Sequence, residues 1–256
     1  MNSIWISLVV FVGVFGGALL GLFLRTVLPG HHLSEEARDA VKLGAGLIAT
    51  LTALVLGLLI SSSKGSFDAT DTMLTQSGAK ILMMDRVLAN YGPETQEVRA
   101  LLKSFLSARV LMVWPEKKGQ IKKIQGGDFS EKLVDMEDVQ AALRELVPKS
   151  DLQRSLQAQA LQITDELSQL RWLLFEQLQT SLPPLFVGVL IFWSAVLFAC
   201  FGLMTPRNGT VVVVFFVCAI SVAGAIYLIL EMEKPLTGMM KISSAPMLKT
   251  IGRLGK

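Results

Sequence analysis

Cysteine and histidine are scarce in this chain of 256 residues. Cys200 and Cys218 both fall inside uncharged apolar runs, and they show neither a disulfide framework nor the spacing of metal ligands. The two histidines, His31 and His32, are adjacent, and neighbouring side chains rarely point at one ion. Because clusters of His, Cys and acidic residues are missing, the sequence predicts no metal site, no cofactor and no enzyme.

Charged residues are also scarce. Charged residues make up 18% of the chain, whereas soluble domains average roughly 25%. The hydrophobic share is 52%, and the mean hydropathy is +0.52. A run of about 20 apolar residues crosses the roughly 30 Å of bilayer hydrocarbon. Four uncharged runs are long enough to do so, at residues 1–24, 43–63, 177–206 and 208–230.

Two of these runs need interpretation. The first could be a secretory signal peptide, but it has no basic start, its apolar part is too long and a second run follows soon after. In the third, Pro183 and Pro184 mark where the spanning part begins. We therefore predict four transmembrane helices, with both termini and the segment between the second and third helix on one side.

That side is expected to be the cytoplasm. It carries most of the Lys and Arg residues, including Lys64, Arg171 and Lys234 close to the spans, and positive residues favour the cytoplasmic side. No ionisable residue lies in the middle of a span, which argues against a proton-coupled pump. The net charge of +3 and the lack of a basic stripe with aromatics argue against nucleic acid.

The segment between the second and third spans is helical in pattern. Its apolar residues recur at three- and four-residue steps, and alternation typical of strands is missing. The pattern predicts an extension of the second span to Tyr91, then helices near residues 94–113, 130–147 and 151–181, the last capped by Ser150 or Asp151. Residues 116–128 are predicted to form a loop. Its basic patch at 117–123 is either solvated or in contact with anionic lipid headgroups.

These patterns divide the chain into four parts. Residues 1–63 hold two spans and a short external loop, 64–182 a helical cytoplasmic region, 183–232 two further spans, and 233–256 a cytoplasmic tail. Small residues recur every four positions in the first two spans, and such faces let helices approach closely, either within one subunit or against a neighbour. They are Gly13, Gly17 and Gly21, and Ala45, Ala49, Ala53 and Gly57.

Several motifs together resemble the bacterial bestrophin-like domain family over about residues 40–250. They are SSSKGSFDATD (61–71), MDRVLANYGPE (84–94), RWLLFEQ (171–177), FGLMTPRN (201–208), LILEMEKPLTG (228–238) and KISSAP (241–246). The resemblance implies kinship to bestrophins, which are pentameric anion channels. Bestrophins have four spans, cytoplasmic termini, a helical cytoplasmic part between spans two and three, and a pore lined by the second span.

The resemblance and the residue patterns together predict an all-α, bestrophin-like membrane protein. We expect a homo-oligomeric ion channel in the lipid bilayer of a bacterial inner membrane, a pentamer by resemblance, which conducts anions rather than cations. The second span would line the pore, with a gate and a cytoplasmic mouth. The gate residues would be Thr50, Leu56, Leu59 and Ile60, and the mouth residues Ser61, Ser62, Ser63, Asp68 and Asp71.

Some alternatives stay open at this point. Asp68 and Asp71 either start a solvated helix or form an acidic ring that attracts cations. Five polar residues are expected to hold helices together rather than to touch an ion: Asp85, Arg86, Arg171, Glu176 and Glu231. The alternative to a channel is a non-conducting membrane scaffold or sensor whose helical cytoplasmic region binds a partner.

Overall fold

The computed structural model describes residues 3–29, 34–125, 134–179 and 184–255, and these ranges contain helices and no strand. His31, His32, Pro183 and the predicted helix start at residue 130 lie outside them. The α-helices are α1 Ser3–Val27, α2 Glu35–Tyr91, α3 Gln96–Val113, α4 Lys118–Gln125, α5 Met136–Glu145, α6 Asp151–Gln179, α7 Pro184–Met204, α8 Gly209–Met232 and α9 Ala245–Arg253.

Four of the helices are long and apolar enough to cross a membrane: α1, α2, α7 from Leu185, and α8. This confirms the four predicted membrane helices. The described residues form two compact units. The first, which we call the membrane unit, comprises Met1–Phe67, Ser181–Lys234 and Gly238–Met240. The second, the helical unit, comprises Asp68–Thr180, Pro235–Thr237 and Lys241–Lys256.

Helix α2 belongs to both units and runs without a break for 57 residues. At 1.5 Å per residue it is about 85 Å long, which is almost three times the hydrocarbon thickness. No proline interrupts it. Gly92 ends it with φ of 135°, a conformation that favours glycine, and Pro93 follows. The predicted continuation of the second span to Tyr91 is therefore confirmed.

In the membrane unit, α1 packs against α7 and α8 around one apolar core. Small residues let α1 and α7 come very close. A Cβ added at Gly17 would lie 2.5 Å from the carbonyl oxygen of Ala195, and one at Gly21 would lie 2.0 Å from that of Ala199. The small face of α1 thus packs within the subunit. The core residues are Val10, Val14, Ala18, Leu22, Phe198, Phe215, Ala219, Ala223 and Ile226.

The four-residue repeat of α2 behaves differently. Four residues advance an α-helix by more than one turn, so the repeat drifts around the axis by about 40° per step. Ala45 is buried, whereas Ala53 and Gly57 are exposed. Nothing lies within 4 Å of a Cβ added at Gly57. The repeat therefore does not form one packed face in this subunit.

In the helical unit, the buried residues of α2 and α3 pack with those of α5, α6 and α9. Met84, Leu102 and Ile251 are fully buried there. The indole N–H of Trp114 donates to the carbonyl of Ile242 at 3.0 Å, which fixes the segment before α9. The side chain of Ser150 accepts from the backbone N–H of Gln153 at 3.2 Å and caps α6, as predicted.

Three features of the helical unit differ from the sequence interpretation. Residues 115–125 form a 3₁₀ turn and α4 rather than a loop, because Ile121 is fully buried and anchors the basic segment. Helix α5 begins at Met136, where Asp135 and Asp138 form a capping box. The carboxyl-terminal tail contains α9, whose Met247 and Ile251 are buried at a helical spacing.

The α1–α7 contact generates a stability prediction. Replacing Gly21 by Ala should destabilise the protein by on the order of 1–3 kcal/mol, because the new methyl group overlaps a backbone carbonyl that cannot move alone. Gly16→Ala is the matched control, since nothing lies within 4 Å of its added Cβ. Thermal unfolding in mild detergent should show a lower Tm for G21A only. Equal Tm values for both variants would contradict the close packing.

Candidate functional site

The candidate site is the membrane-spanning part of α2, because it is the least covered of the four spans. In its most apolar window 11% of residues are buried, compared with 28% in each of the other three. A helix that its own subunit leaves bare on one side is available to lipid, water or another copy. The position of each side chain on α2 therefore decides its role.

One side of α2 packs against the rest of the membrane unit. Leu59 is 7% exposed and lies against Leu190 of α7 and Ile229 of α8. Leu56 is half-buried beside them. The sequence interpretation gave Leu56 and Leu59 to the pore. In this subunit Leu59 is enclosed and Leu56 is partly covered, so both lie on the packed side of α2.

The opposite side of α2 carries a row of exposed residues that recur at three- and four-residue steps. We call this row the outward stripe. It combines leucines with small or hydroxyl side chains. The hydroxyl of Thr50 donates to the carbonyl of Gly46 at 2.9 Å. Its members are Leu43, Leu47, Thr50, Leu54, Gly57 and Ser61.

The remaining predicted pore and mouth residues fall on several faces of α2. Ile60 and Ser62 are exposed but flank Ser61, about 100° to either side of the stripe. Asp68 follows Ser61 by seven residues, close to two helical turns, and is exposed, as is Asp71. Of the predicted gate and mouth residues, Thr50 and Ser61 therefore belong to the outward stripe. Asp68 lies on the same face of α2, two helical turns beyond Ser61.

Ser63 differs from its neighbours because it is fully buried. Its hydroxyl donates to Oε1 of Glu233 at 3.2 Å, which ties α2 to the end of α8. Nearby, Nζ of Lys234 donates to the hydroxyl of Ser3 at 3.1 Å. These bonds connect the start of α1, the middle of α2 and the end of α8 within the membrane unit. Ser63 thus has a packing partner of its own and does not belong to the outward stripe.

Glu231 is also buried, at 5% exposure, in the last turn of α8. The backbone N–H of Met239 donates to its carboxylate. The turn between them needs Gly238, because a Cβ there would lie 2.7 Å from Oε2 of Glu231. A buried carboxylate requires such donors to offset its loss of hydration, and here the backbone of the following turn supplies one.

The polar contacts of the helical unit include two residues that the sequence suggested, Asp85 and Arg171, and partners that it did not. Asp85 is buried and accepts two hydrogen bonds from Arg99 of α3, at 2.7 and 3.0 Å. The N–H of Gly255 adds a third at 3.2 Å. The hydrogen bonds to Asp85 raise the pKa of Arg99 above its ordinary value. Arg86, which the sequence favoured, is exposed.

Ion pairs also connect the helices of this unit. Arg171 of α6 donates to Glu137 of α5 at 3.2 Å, and Lys80 of α2 pairs with Glu166 of α6. Glu176 is exposed on α6. The sequence interpretation includes Asp85, which follows the buried Met84 on α2 and is itself buried. Its partner, Arg99, lies on another helix and required the fold.

The described residues contain no group of three or more His, Cys, Asp or Glu side chains that could hold a metal ion. Their chemistry is that of packed helices, a bare helix face and polar bonds at helix ends. Together with the four candidate spans, this defines an all-helical, multi-pass membrane protein.

The comparisons with known proteins identify the family. Residues 12–247 match the family model of the Bestrophin-like domain, so the chain belongs to that family. Two solved structures of point variants of a bacterial bestrophin homologue from Klebsiella pneumoniae share its fold. One has 15% identity, a TM-score of 0.58 and coverage of 92% of this chain and 95% of the other. For the second, these values are 16%, 0.59, 94% and 96%. No curated protein matches the chain.

The buried Asp85–Arg99 pair generates a stability prediction. Asp85→Asn should destabilise the protein by about 3–5 kcal/mol, because it leaves the largely buried charge of Arg99 without its counter-ion. Asp151→Asn is the control, since Asp151 and Arg154 form an exposed pair worth about 0–1 kcal/mol. Chemical unfolding in detergent measures both. Equal losses of stability in Asp85→Asn and Asp151→Asn would contradict the larger contribution of the buried pair.

The pair of Lys80 and Glu166 generates a prediction about pH. Hydrogen bonds from Lys80 and Gln162 hold the pKa of Glu166 below its ordinary value. The carboxyl of Glu166 therefore binds a proton more tightly in the unfolded chain than in the folded one. The stability that the ion pair contributes is complete above the unfolded pKa of about 4.3. It is lost as the pH falls through the lower pKa of the folded state. Glu166→Gln should make Tm less sensitive to acidification below about pH 5. Lys80→Met should do the same, and an unchanged pH profile in both would refute the assignment.

Proposed function

We propose that this protein is a homo-oligomeric ion channel of the bacterial inner membrane, with the outward stripe of α2 lining its pore. The observation that carries the proposal is the one-sided packing of α2, which leaves a regular row of side chains bare in a helix that is otherwise held by α7 and α8. Four helices of one subunit can hardly enclose a pore, so several copies must supply the wall. Membership of the Bestrophin-like family supports this function.

The stripe also suggests where such a pore is narrow. In a symmetric assembly each position of α2 repeats as a ring. Leu54, 59% exposed, would form an aliphatic ring between the smaller rings of Thr50 and Gly57. An aliphatic constriction can close a pore by excluding water. Leu56 and Leu59 would then set the position of α2 against α7 and α8 rather than touch the ion.

The charged residues next to the outward stripe are relevant to whether anions or cations permeate. The family resemblance favours anions, and we retain anion conduction as the first hypothesis. A specific observation favours cations: Asp68 and Asp71 are exposed on α2 just beyond Ser61, against one base, Lys64, in the same stretch. Acidic rings at a mouth concentrate cations. We place these residues at the cytoplasmic mouth, with both termini on the same side.

Current through the purified protein in a planar bilayer tests the proposal. Under a KCl gradient, a reversal potential near that of chloride supports the anion channel, and one near that of potassium assigns Asp68 and Asp71 to a cation-attracting mouth. Mass measurement in mild detergent should show several copies, five by the family resemblance. A monomer that is folded and carries no current would refute the channel.

The position of the narrow ring generates a specific prediction. Leu54→Thr should raise the current several-fold, because a hydroxyl in the ring lowers the barrier to water and ions. Ile60→Thr makes the same kind of change at an exposed position about 100° from the stripe residue Ser61 and should leave the current nearly unchanged. Single-channel conductance of both variants decides the lining face. An increase in conductance for I60T and none for L54T would indicate that the face of α2 with Ile60 lines the pore.

A second candidate function is a membrane scaffold or sensor that does not conduct. The observation in its favour is the exposed apolar surface near the end of α6, where Trp172, Leu173 and Phe175 are each more than half exposed. Exposed apolar patches often mark interaction sites. Recovery of a stable soluble partner together with no ion flux would favour this function over the channel.

A further inference from the structure

The helical unit contains a cavity of about 310 Å³ that the proposed pore does not use. Its size is at the lower end of the range for ligand sites, roughly 300–1,000 Å³. All of its lining residues belong to the helical unit, so it is a feature of that unit alone.

The walls of the cavity are apolar. Ile81 of α2, Leu106 and Val110 of α3, and Leu167 and Leu174 of α6 line it. The indole of Trp114 also contributes, and its N–H is already used by the carbonyl of Ile242. Such apolar side chains accept a hydrocarbon chain.

Two arginines interrupt this apolar lining. Arg109 and Arg171 are the charged side chains among the described residues that line the cavity, and they come from α3 and α6. Each is held in place by an acid that is not part of the lining: Arg109 by Asp135 at 2.5 Å and Arg171 by Glu137 at 3.2 Å. The hydrogen bond of Arg171 to Glu137 also contributes to lowering the pKa of Glu137, after the larger effect of a backbone hydrogen bond.

Each guanidinium group has further N–H donors besides the one in its ion pair, and these can bind a ligand. A guanidinium has five N–H donors in a fixed fork that suits a carboxylate. The ion pair of Arg109 uses its NH2 nitrogen and that of Arg171 likewise uses NH2. Because aromatic rings also support both groups, Phe105 at 5.4 Å and Trp172 at 5.7 Å, their positions are fixed before a ligand arrives.

We propose that this cavity binds the acyl chain of a medium-chain fatty acid, with the carboxylate at Arg109 and Arg171. An amphiphile of this kind partitions into a bilayer and is therefore available to a membrane protein. Two lining residues, Leu178 and Leu236, stand six residues before α7 and four after α8, so they adjoin candidate spans in the sequence. The inference does not rest on conduction, because it concerns a site in the helical unit.

Binding of radiolabelled laurate to the full-length protein tests the proposal. The protein is kept in digitonin, which has no alkyl chain to compete for the cavity, and binding is corrected for micelles without protein. The wild-type chain should bind one laurate with saturation. Unlabelled dodecanol, which has the same chain length without the charge, should compete at least tenfold less well than unlabelled laurate.

Three variants locate the bound laurate. The double variant Arg109→Gln and Arg171→Gln should bind laurate at least tenfold more weakly. Ser168→Phe fills the cavity from the half-buried lining residue Ser168 and should abolish binding while keeping both arginines. Arg154→Gln, at an exposed arginine outside the lining, is the matched control and should bind like the wild type. Far-UV circular dichroism shows whether each variant is folded.

Four results would overturn the proposal. The first is the absence of saturable laurate binding above the micelle background, and the second is equal laurate binding by S168F and the wild type. The third is equal competition by dodecanol and laurate. The fourth is a loss of laurate binding in Arg154→Gln as large as that in the double arginine variant. If the wild type binds no laurate and S168F changes the number of subunits in the assembly, a second copy of the chain occupies the cavity instead.

Discussion

The structure depends on how α2 is held. One side of this helix is fixed by apolar contacts with α7 and α8 through Leu59 and by the bond between Ser63 and Glu233. The opposite side has no such cover within the subunit in the membrane-spanning window. Both the proposed assembly and the proposed pore follow from this imbalance, because a bare face that recurs at helical spacing can be completed by further copies of the same chain.

Polar groups support this arrangement at the helix ends rather than within the spans. Glu231 receives the N–H of Met239, and Asp85 receives Arg99, so each buried acid has a donor that offsets its desolvation. Helix α1 is held by its apolar core and by close approach to α7 at Gly17 and Gly21. The membrane unit therefore combines tight packing of α1 with one-sided packing of α2.

Much of the fold was predictable from the sequence because it follows from run length and periodicity. The four apolar runs, the continuation of α2 to Tyr91 and the cap of α6 at Ser150 all depend on local residue patterns. The faces of α2 did not follow in the same way. A span with no charge has almost no amphipathic pattern, so nothing in the sequence separates the buried Leu59 from the exposed Leu54. The partner of Asp85 likewise required knowledge of which helices meet.

Thiol accessibility along α2 during current recording tests most directly whether the outward stripe lines the pore. Cysteines are introduced one at a time from residue 47 to 61 in a protein whose Cys200 and Cys218 are replaced by serine, and a charged, water-soluble thiol reagent is added. If the outward stripe lines the pore, the current changes rapidly with cysteine at position 50, 54, 57 or 61 and does not change with cysteine at position 59. Reaction at Leu59 with no effect at Leu54 would contradict this assignment, because the face enclosed by the subunit would then be the one that meets water.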